Sequence, residues 1–124
     1  MEKAKLNGPT MVLLVRNLVD SIAFYRRIGF QDELVGGPDE QHVHMNRDAV
    51  TFILHQARNP EDVKPFSSAA GGLYFDAFCY TDVRALLEEV RVAGVPIVNG
   101  PDLNDFFSEF TIQDVDGYRI AFGG

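Results

Sequence analysis

Residues 15–30 read VRNLVDSIAFYRRIGF. This stretch contains, in order, the end of a predicted strand, the start of a helix and the end of that helix, and it is the most informative part of the sequence for the fold. Asn17 has the side chain of an N-cap, and Asp20 lies in the first turn, where the helix dipole favours an acid. Apolar residues recur at helical spacing before Gly29, which is typical of the position after a helix. The apolar run at residues 10–15 predicts a buried strand directly before this helix.

Three more strands are predicted after this helix in the first half of the chain. Short apolar or alternating runs bounded by turn residues indicate them. The strands are expected at residues 30–35, 41–45 and 50–55, with turns at 36–39 and 46–49. This half therefore reads as strand, helix and three strands.

The second half of the chain repeats the same order of elements. A shift of 65 residues places Asn17 on Asp82 and Gly29 on Gly94, so that strand, cap, helix and glycine coincide without a gap. The corresponding strands are expected at residues 73–80, 96–98, 109–112 and 118–122, with a loop at 100–107. A repeat of this kind predicts two similar structural modules.

The domain organisation follows from the repeat. One domain is expected over residues 1–124, with a first βαβββ module at about 8–56 and a second at about 72–123. Residues 57–71 contain Pro and Ser without a sustained period and are expected to connect the two modules.

A family resemblance is carried by three stretches within residues 8–124. Residues 15–25 resemble the strand-to-helix signature of the vicinal oxygen chelate superfamily, and residues 28–30 (IGF) are similar to its Leu-Gly-Phe. Residues 114–120 resemble its Asp-Pro-Asp-Gly turn, with Val115 where proline is usual. Glyoxalases, bleomycin-resistance proteins and extradiol dioxygenases belong to this superfamily. The resemblance implies an α+β fold whose two modules form cupped, mostly antiparallel sheets around a cleft, with helices outside.

The resemblance also provides a test for a metal centre. Metal-dependent members carry His or Glu at four positions on the inner strands, and those positions fall on Thr10, Ile53, Phe75 and Ala121. None of these side chains is a good ligand for a divalent ion. We therefore expect no metal and no cofactor, and a metal-independent protein similar to bleomycin-resistance proteins.

The three histidines leave two enzymatic alternatives open. A hairpin closed at residues 46–49 pairs His44 with position 51 and His42 with position 53, and places both on one face with His55. These side chains would then form a metal site for a lyase, isomerase or dioxygenase of the glyoxalase type, with Glu109 across the cavity. In the other alternative, His44, His55 or Arg119 is the acid or base of a metal-free enzyme.

The expected ligand site is an apolar cleft. Its walls are predicted to be residues 10, 12 and 14 of the first strand and 75, 77 and 79 of the corresponding strand in the second module. Residues 101–107 (PDLNDFF) add two adjacent phenylalanines, which either pack into the core or form an aromatic surface for a planar ligand. The predicted ligand-binding residues are Thr10, Val12, His44, His55, Phe75, Phe106, Phe107, Asp105 and Arg119.

Charge in and around this cleft sets the expected ligand and partners. Eleven basic and 18 acidic residues give a net charge of -7, which argues against a nucleic-acid partner and is compatible with a cationic ligand. Asp102 or Asp105 would meet the cation, whereas Arg119 favours an anion if it faces the cleft. We expect a cytoplasmic protein, because the sequence has a single cysteine, no apolar run long enough to span a membrane and no recognisable signal peptide. A small organic molecule and a second copy of the chain, in a homodimer, are the expected partners.

Overall fold

A computed structural model of the chain describes residues 2–36 and 41–124, so the predicted turn at 36–39 lies largely outside the described residues. The first module contains β1 (Met11–Val15), α1 (Leu18–Arg27), β2 (Gln31–Glu33), β3 (His42–Arg47) and β4 (Val50–Gln56). Two single-turn 3-10 helices follow, at Pro60–Asp62 and Phe66–Ser68. The second module contains β5 (Ala77–Tyr80), α2 (Val83–Val92), β6 (Ile97–Asp102), β7 (Glu109–Gln113) and β8 (Arg119–Gly123). In the described part of the chain, no helix is long and apolar enough to cross a membrane.

The strands form two four-stranded mixed sheets of the same topology. Their orders are β1-β4-β3-β2 and β5-β8-β7-β6. The β1–β4 and β5–β8 pairs are parallel, because the helix carries the chain back across the sheet, and the other pairs are antiparallel. This arrangement confirms the predicted α+β fold with two similar βαβββ modules.

The helix boundaries follow the predicted capping residues. The Asn17 carboxamide oxygen accepts the Asp20 backbone N–H at 3.1 Å, and the Asp82 carboxylate accepts that of Ala85 at 3.2 Å. Gly94 follows α2 at φ +71°, a conformation that glycine adopts without steric cost.

The predicted repeat is wrong by one residue at the first strand of the second module. β5 begins at Ala77 instead of residue 73, and the strand partners make Phe78, rather than Ala77, equivalent to Val12. Ala77 and Cys79 therefore pack on the helix-covered face, where Ala77 is buried. Phe78 and Tyr80 lie on the opposite face, because successive side chains of a strand alternate. The connection from the strand to the helix cap is one residue shorter in the second module.

The register of the first hairpin also differs from the prediction. The turn contains only residues 48 and 49, so His44 pairs with Ile53 and His42 with His55. The observed pairing is displaced by two residues from the predicted one. A displacement of two preserves the face of every side chain, so the prediction that the three histidines share one face is confirmed.

The two modules are joined by buried polar contacts. The Asp116 carboxylate accepts the Arg16 backbone N–H at 2.9 Å and the Ser21 hydroxyl at 3.1 Å. The Tyr25 hydroxyl donates to the Asp114 carboxylate at 2.7 Å. α1 thus packs on the first sheet and also against the β7–β8 turn of the second module. Two of the three stretches that carry the family resemblance, residues 15–25 and 114–120, therefore meet here.

Candidate functional site

Each sheet has one face covered by helix and core side chains and one open face. On the first sheet, Val12, Ile53 and His44 lie side by side on the open face, and His55 and His42 form the next row. The His42 ring centroid lies 6.4 Å from that of His44 and 6.0 Å from that of His55. No three His, Cys, Asp or Glu side chains in the described residues are grouped so that they can hold a metal ion.

The residues at the family's metal positions do not fit a divalent ion. Thr10 is exposed just before β1, and Ile53 and Ala121 provide no donor atom. The one-residue displacement of β5 replaces Phe75 by Asp76 at the remaining position. Both oxygens of that carboxylate are already occupied by backbone and hydroxyl donors of Ser67 and by the Arg119 backbone N–H. No step of a mechanism is therefore assigned to a metal.

The open face of the second sheet carries an aromatic cluster, consisting of Tyr74, Phe75, Phe78, Tyr80 and Phe107. Neighbouring ring centroids are 4.9 Å (Tyr74–Phe75), 5.4 Å (Phe75–Phe78) and 5.1 Å (Phe78–Tyr80) apart. Phe78 and Phe107 are stacked at 6.5 Å with an angle of 18° between their planes. These rings form a continuous apolar surface outside the core.

Small residues beneath the rings let them approach the sheet. Phe78 lies beside Ala121 in the strand register, and Tyr80 lies beside Gly123. A Cβ atom at Gly123 would be 2.6 Å from the Phe78 ring and 2.7 Å from the Phe107 ring. A larger residue at this position would therefore force the Phe78 and Phe107 rings to move.

The phenylalanine loop lies on the surface and not in the core. Phe106 is 89% exposed and Phe107 is 39% exposed, so the interpretation that one ring fills the core is wrong. The Asn104 carboxamide oxygen accepts the Phe107 backbone N–H at 2.9 Å, and the Ser108 hydroxyl oxygen accepts that of Asn104 at 3.0 Å. These bonds hold Phe107 over the sheet and leave Phe106 and Asp105 exposed.

Charged side chains of both signs border the aromatic cluster. β6 extends to Asp102, beyond the predicted strand end, and places Asp102 opposite Glu109. The Tyr74 hydroxyl donates to the Glu109 carboxylate, and this hydrogen bond raises the pKa of Tyr74. Arg119 shares the open face, where its Nε donates to the Gln113 side-chain oxygen at 3.1 Å. The charge of this face therefore differs from one edge to the other.

The structure divides the predicted site residues between two sheets. Val12, His44 and His55 lie on the first open face, whereas Phe75, Phe107 and Arg119 lie on or beside the second. In the described part of the chain, no ring contact or hydrogen bond joins these two groups. The predicted site residues on the strands thus belong to the open faces of two different sheets.

The sequence-based reasoning missed four residues of the second face: Tyr74, Phe78, Tyr80 and Thr111. Phe78 and Tyr80 alternate with the smaller Ala77 and Cys79, and this size alternation is a signal that could have identified them. Since all four residues at 77–80 are apolar or amphipathic, hydrophobicity alone does not show which pair faces the helix.

A second cavity of about 170 Å³ lies between the modules. Its lining is mainly apolar, with Ile28, Leu86 and Phe122 among the lining residues, and also includes Arg47, Asp48, Thr81 and Tyr80 of the aromatic cluster. None of the predicted ligand-binding residues lines it. Burial raises the pKa of the Cys79 thiol in its lining to about 11, which disfavours the nucleophilic thiolate. The open face of the second sheet is the better candidate, because Phe75, Phe107 and Arg119 of the predicted site lie on or beside it and none of the predicted residues lines this cavity.

Comparisons with known proteins agree with this architecture. UcmS2 has a TM-score of 0.72 at 19% identity, with 98% of each chain covered. TnmS3, an antibiotic binding protein from Streptomyces sp. CB03234, has a TM-score of 0.68 at 17% identity, covering 98% of this chain and 96% of that one. TioX from Micromonospora sp. ML1 has a TM-score of 0.67 at 19% identity, covering 94% and 98%. At such identities the likeness shows the fold alone.

A family model provides the stronger evidence. No curated protein matches this chain in sequence. The model of the Glyoxalase/Bleomycin resistance protein/Dioxygenase superfamily, in contrast, matches residues 9–122. Since that match includes both modules and the structure has the doubled βαβββ order, the chain belongs to the glyoxalase/bleomycin resistance protein/dioxygenase superfamily.

Proposed function

We propose that this chain reversibly binds a planar aromatic small molecule, preferably a cation, and does so without a metal ion or turnover. The aromatic cluster carries this proposal, because aromatic rings outside the core provide a stacking surface for another flat ring. Tyr80 is 81% exposed and Phe107 is 39% exposed, so both are accessible to a ligand.

The family and its fold support a binding function. TnmS3, which shares the fold, is described as an antibiotic binding protein. Among the residues at the family's metal positions only Asp76 carries a carboxylate, and both of its oxygens already accept hydrogen bonds. Binding of an organic molecule by apolar and aromatic groups needs no metal.

The preference for a cation rests on the acids at one side of the cluster. Asp102 and Glu109 lie opposite each other on neighbouring strands, and Asp105 lies in the phenylalanine loop. Arg119 lies on the same face, where it would favour an anionic substituent. Two carboxylates on β6 and β7 against one guanidinium make a cation the favoured ligand near Phe107.

We further propose that a homodimer completes the site. Val12, His44 and His55 lie on the open face of the first sheet and Thr10 lies just before β1, and no helix or strand of the described residues covers this face. Val12 is 63% exposed, which is costly for an apolar side chain on a strand. A second copy could cover the aromatic cluster with this face, so that both groups of predicted residues line one cleft.

A titration with the planar cation proflavine tests the binding proposal. Phe107→Ala is expected to weaken binding about three- to tenfold, since one ring contact contributes about 0.5–1.5 kcal/mol beyond its burial. Phe106→Ala is expected to have a similar or smaller effect. Val92→Ala, which shortens an 81% exposed side chain on the outer surface of α2, is the matched control and should leave binding unchanged.

Two further measurements distinguish the alternatives. Protein treated with a chelator should bind proflavine as tightly as untreated protein. If binding instead requires added Zn²⁺ and disappears in His44→Ala, the histidine metal site replaces this proposal. If anthracene carboxylate binds and proflavine does not, Arg119 defines the ligand charge. If neither dye binds, the proposed function is wrong.

A further inference from the structure

A small cavity lies at the edge of the second sheet, next to the aromatic cluster. Its volume is about 190 Å³, and it is lined by Tyr74, Asn99, Gly100, Asp102, Glu109, Phe110 and Thr111. We refer to it as the edge cavity. The register pairs Thr111 with Asn99 and Glu109 with Asp102, so polar side chains of β6 and β7 meet there.

A buried hydroxyl group without a partner is part of the edge cavity. Thr111 is fully buried, and its side-chain oxygen has no hydrogen-bond partner among the described residues. An unsatisfied buried hydroxyl lowers the stability of the folded state, and buried polar groups in folded proteins are normally paired. The Thr111 hydroxyl thus lacks a hydrogen-bond partner among the described residues, and Thr111 is one of the residues that line the edge cavity.

The charge of the edge cavity is negative. Glu109 is half-buried and Asp102 is exposed, and neither forms an ion pair with a described residue. The Tyr74 hydroxyl occupies one oxygen of Glu109 as a neutral donor. The second oxygen and the Asp102 carboxylate remain as acceptors for a cation.

The edge cavity and the aromatic cluster are continuous. Tyr74 belongs to both, and its ring contacts Phe75 with a centroid distance of 4.9 Å. Glu109 pairs across the sheet with Gly123, over which the Phe78 and Phe107 rings lie. A ligand stacked on Phe107 can therefore extend a short substituent toward Glu109.

We infer that the edge cavity binds an ammonium group of the ligand through Thr111, Glu109 and Asp102. A primary ammonium has three N–H donors and no acceptor, which matches a hydroxyl oxygen and two carboxylates. The inference rests on the proposed function, because the aromatic cluster would hold the ring that carries this group. It specifies the ligand as a flat ring with a short aminoalkyl substituent.

Naphthylethylamine and naphthylethanol test this assignment, because they share one ring and differ in their polar end. The wild-type protein is expected to bind the amine about tenfold more tightly than the alcohol, since hydrogen bonds between charged groups are stronger than those of a neutral hydroxyl. Glu109→Gln should remove most of that preference while the affinity for the alcohol changes little. Asp20→Asn, which removes one negative charge from the exposed surface of α1, should keep it.

Thr111 is tested with two conservative variants. Thr111→Val keeps the shape and removes the hydroxyl, and should lower the preference for the amine several-fold. Thr111→Ser keeps the hydroxyl and should retain the preference. The free energy of unfolding without ligand should stay equal or rise in Thr111→Val, because an unpaired buried hydroxyl is removed.

The outcomes separate this inference from the proposed function. If amine and alcohol bind equally and Phe107→Ala weakens both, the proposed function stands and the ammonium assignment is wrong. If Thr111→Val changes only the stability, the hydroxyl has no part in binding and the assignment is also wrong. If neither naphthyl probe binds at millimolar concentration, both are wrong.

Discussion

The ionisation of the Asp114 carboxyl is strongly altered by its surroundings. Burial raises the pKa of its carboxyl from 3.8 to about 6, although the Tyr25 hydroxyl and the backbone N–H groups of Asp116 and Tyr118 donate to it. Desolvation thus outweighs three hydrogen bonds that favour the ionised form. The folded protein therefore retains a proton at this site that the unfolded chain has already lost.

The sign of the resulting pH dependence follows from this raised pKa. Between pH 3.8 and about 6 the folded state binds more protons here, so the free energy of unfolding falls as pH rises through this window. A shift from 3.8 to about 6 corresponds to at most about 3 kcal/mol. Asp114→Asn, which is neutral at every pH and retains an acceptor oxygen, should lack this loss.

Urea unfolding of both proteins between pH 4 and 7 measures the difference. The stability of the wild-type protein should fall relative to Asp114→Asn as the pH rises. Asp20→Asn serves as the control for the loss of one charge at an exposed position. Parallel stability curves for wild type and Asp114→Asn would contradict the predicted role of burial.

Among the elements, β6 determines the shape of the edge cavity. Its pairing with β7 shifts twice, between Ile97 and Asn99 and between Asn99 and Asp102. Gly100 lies within the second shift at φ +77°, and a Cβ atom there would be 2.9 Å from the Glu109 backbone oxygen. Glycine therefore permits both the backbone conformation and the close approach of the strands.

Gly100→Ala should consequently lower the free energy of unfolding by more than Gly71→Ala. Gly71 has a similar φ of +79° but open space around the position of a Cβ atom, so its substitution measures the backbone strain alone. We expect about 1–2 kcal/mol for Gly71→Ala, and about 1–3 kcal/mol more for Gly100→Ala because backbone atoms must move. Equal losses in urea unfolding would show that β6 adjusts without cost.

At the scale of the whole molecule, the two open faces predict self-association. The first carries the exposed Val12 and the second the exposed Tyr80, and neither is covered by an element of the same chain in its described part. Equilibrium sedimentation at tens of micromolar protein should give about twice the mass of one 13.8 kDa chain. Val12→Glu, which places a charge on the first open face, should favour the monomer, whereas Val19→Glu on α1 should not. A monomer under these conditions would mean that one chain alone binds the ligand.

The order of elements, the helix caps and the doubled module could all be predicted from the amino-acid sequence. These features depend on local chemistry, such as the Asn17 cap and the glycine after each helix, and on hydrophobic periodicity, which are readable in a few neighbouring residues. The face shared by the histidines was also predictable, because a register error of two residues leaves each side chain on the same face of the sheet.

The composition of the candidate site, in contrast, depends on tertiary contacts that local sequence patterns do not specify. Ala77, Phe78, Cys79 and Tyr80 are all compatible with burial, so which pair faces the helix depended on the pairing of β5 with β8. The meeting of Thr111 with Asn99 and of Glu109 with Asp102 depended on irregular pairing of β6, which no local pattern encodes. The Tyr25–Asp114 contact joins residues of different modules. Such contacts form only when distant segments of the chain pack together, so the residues of one segment alone do not specify them.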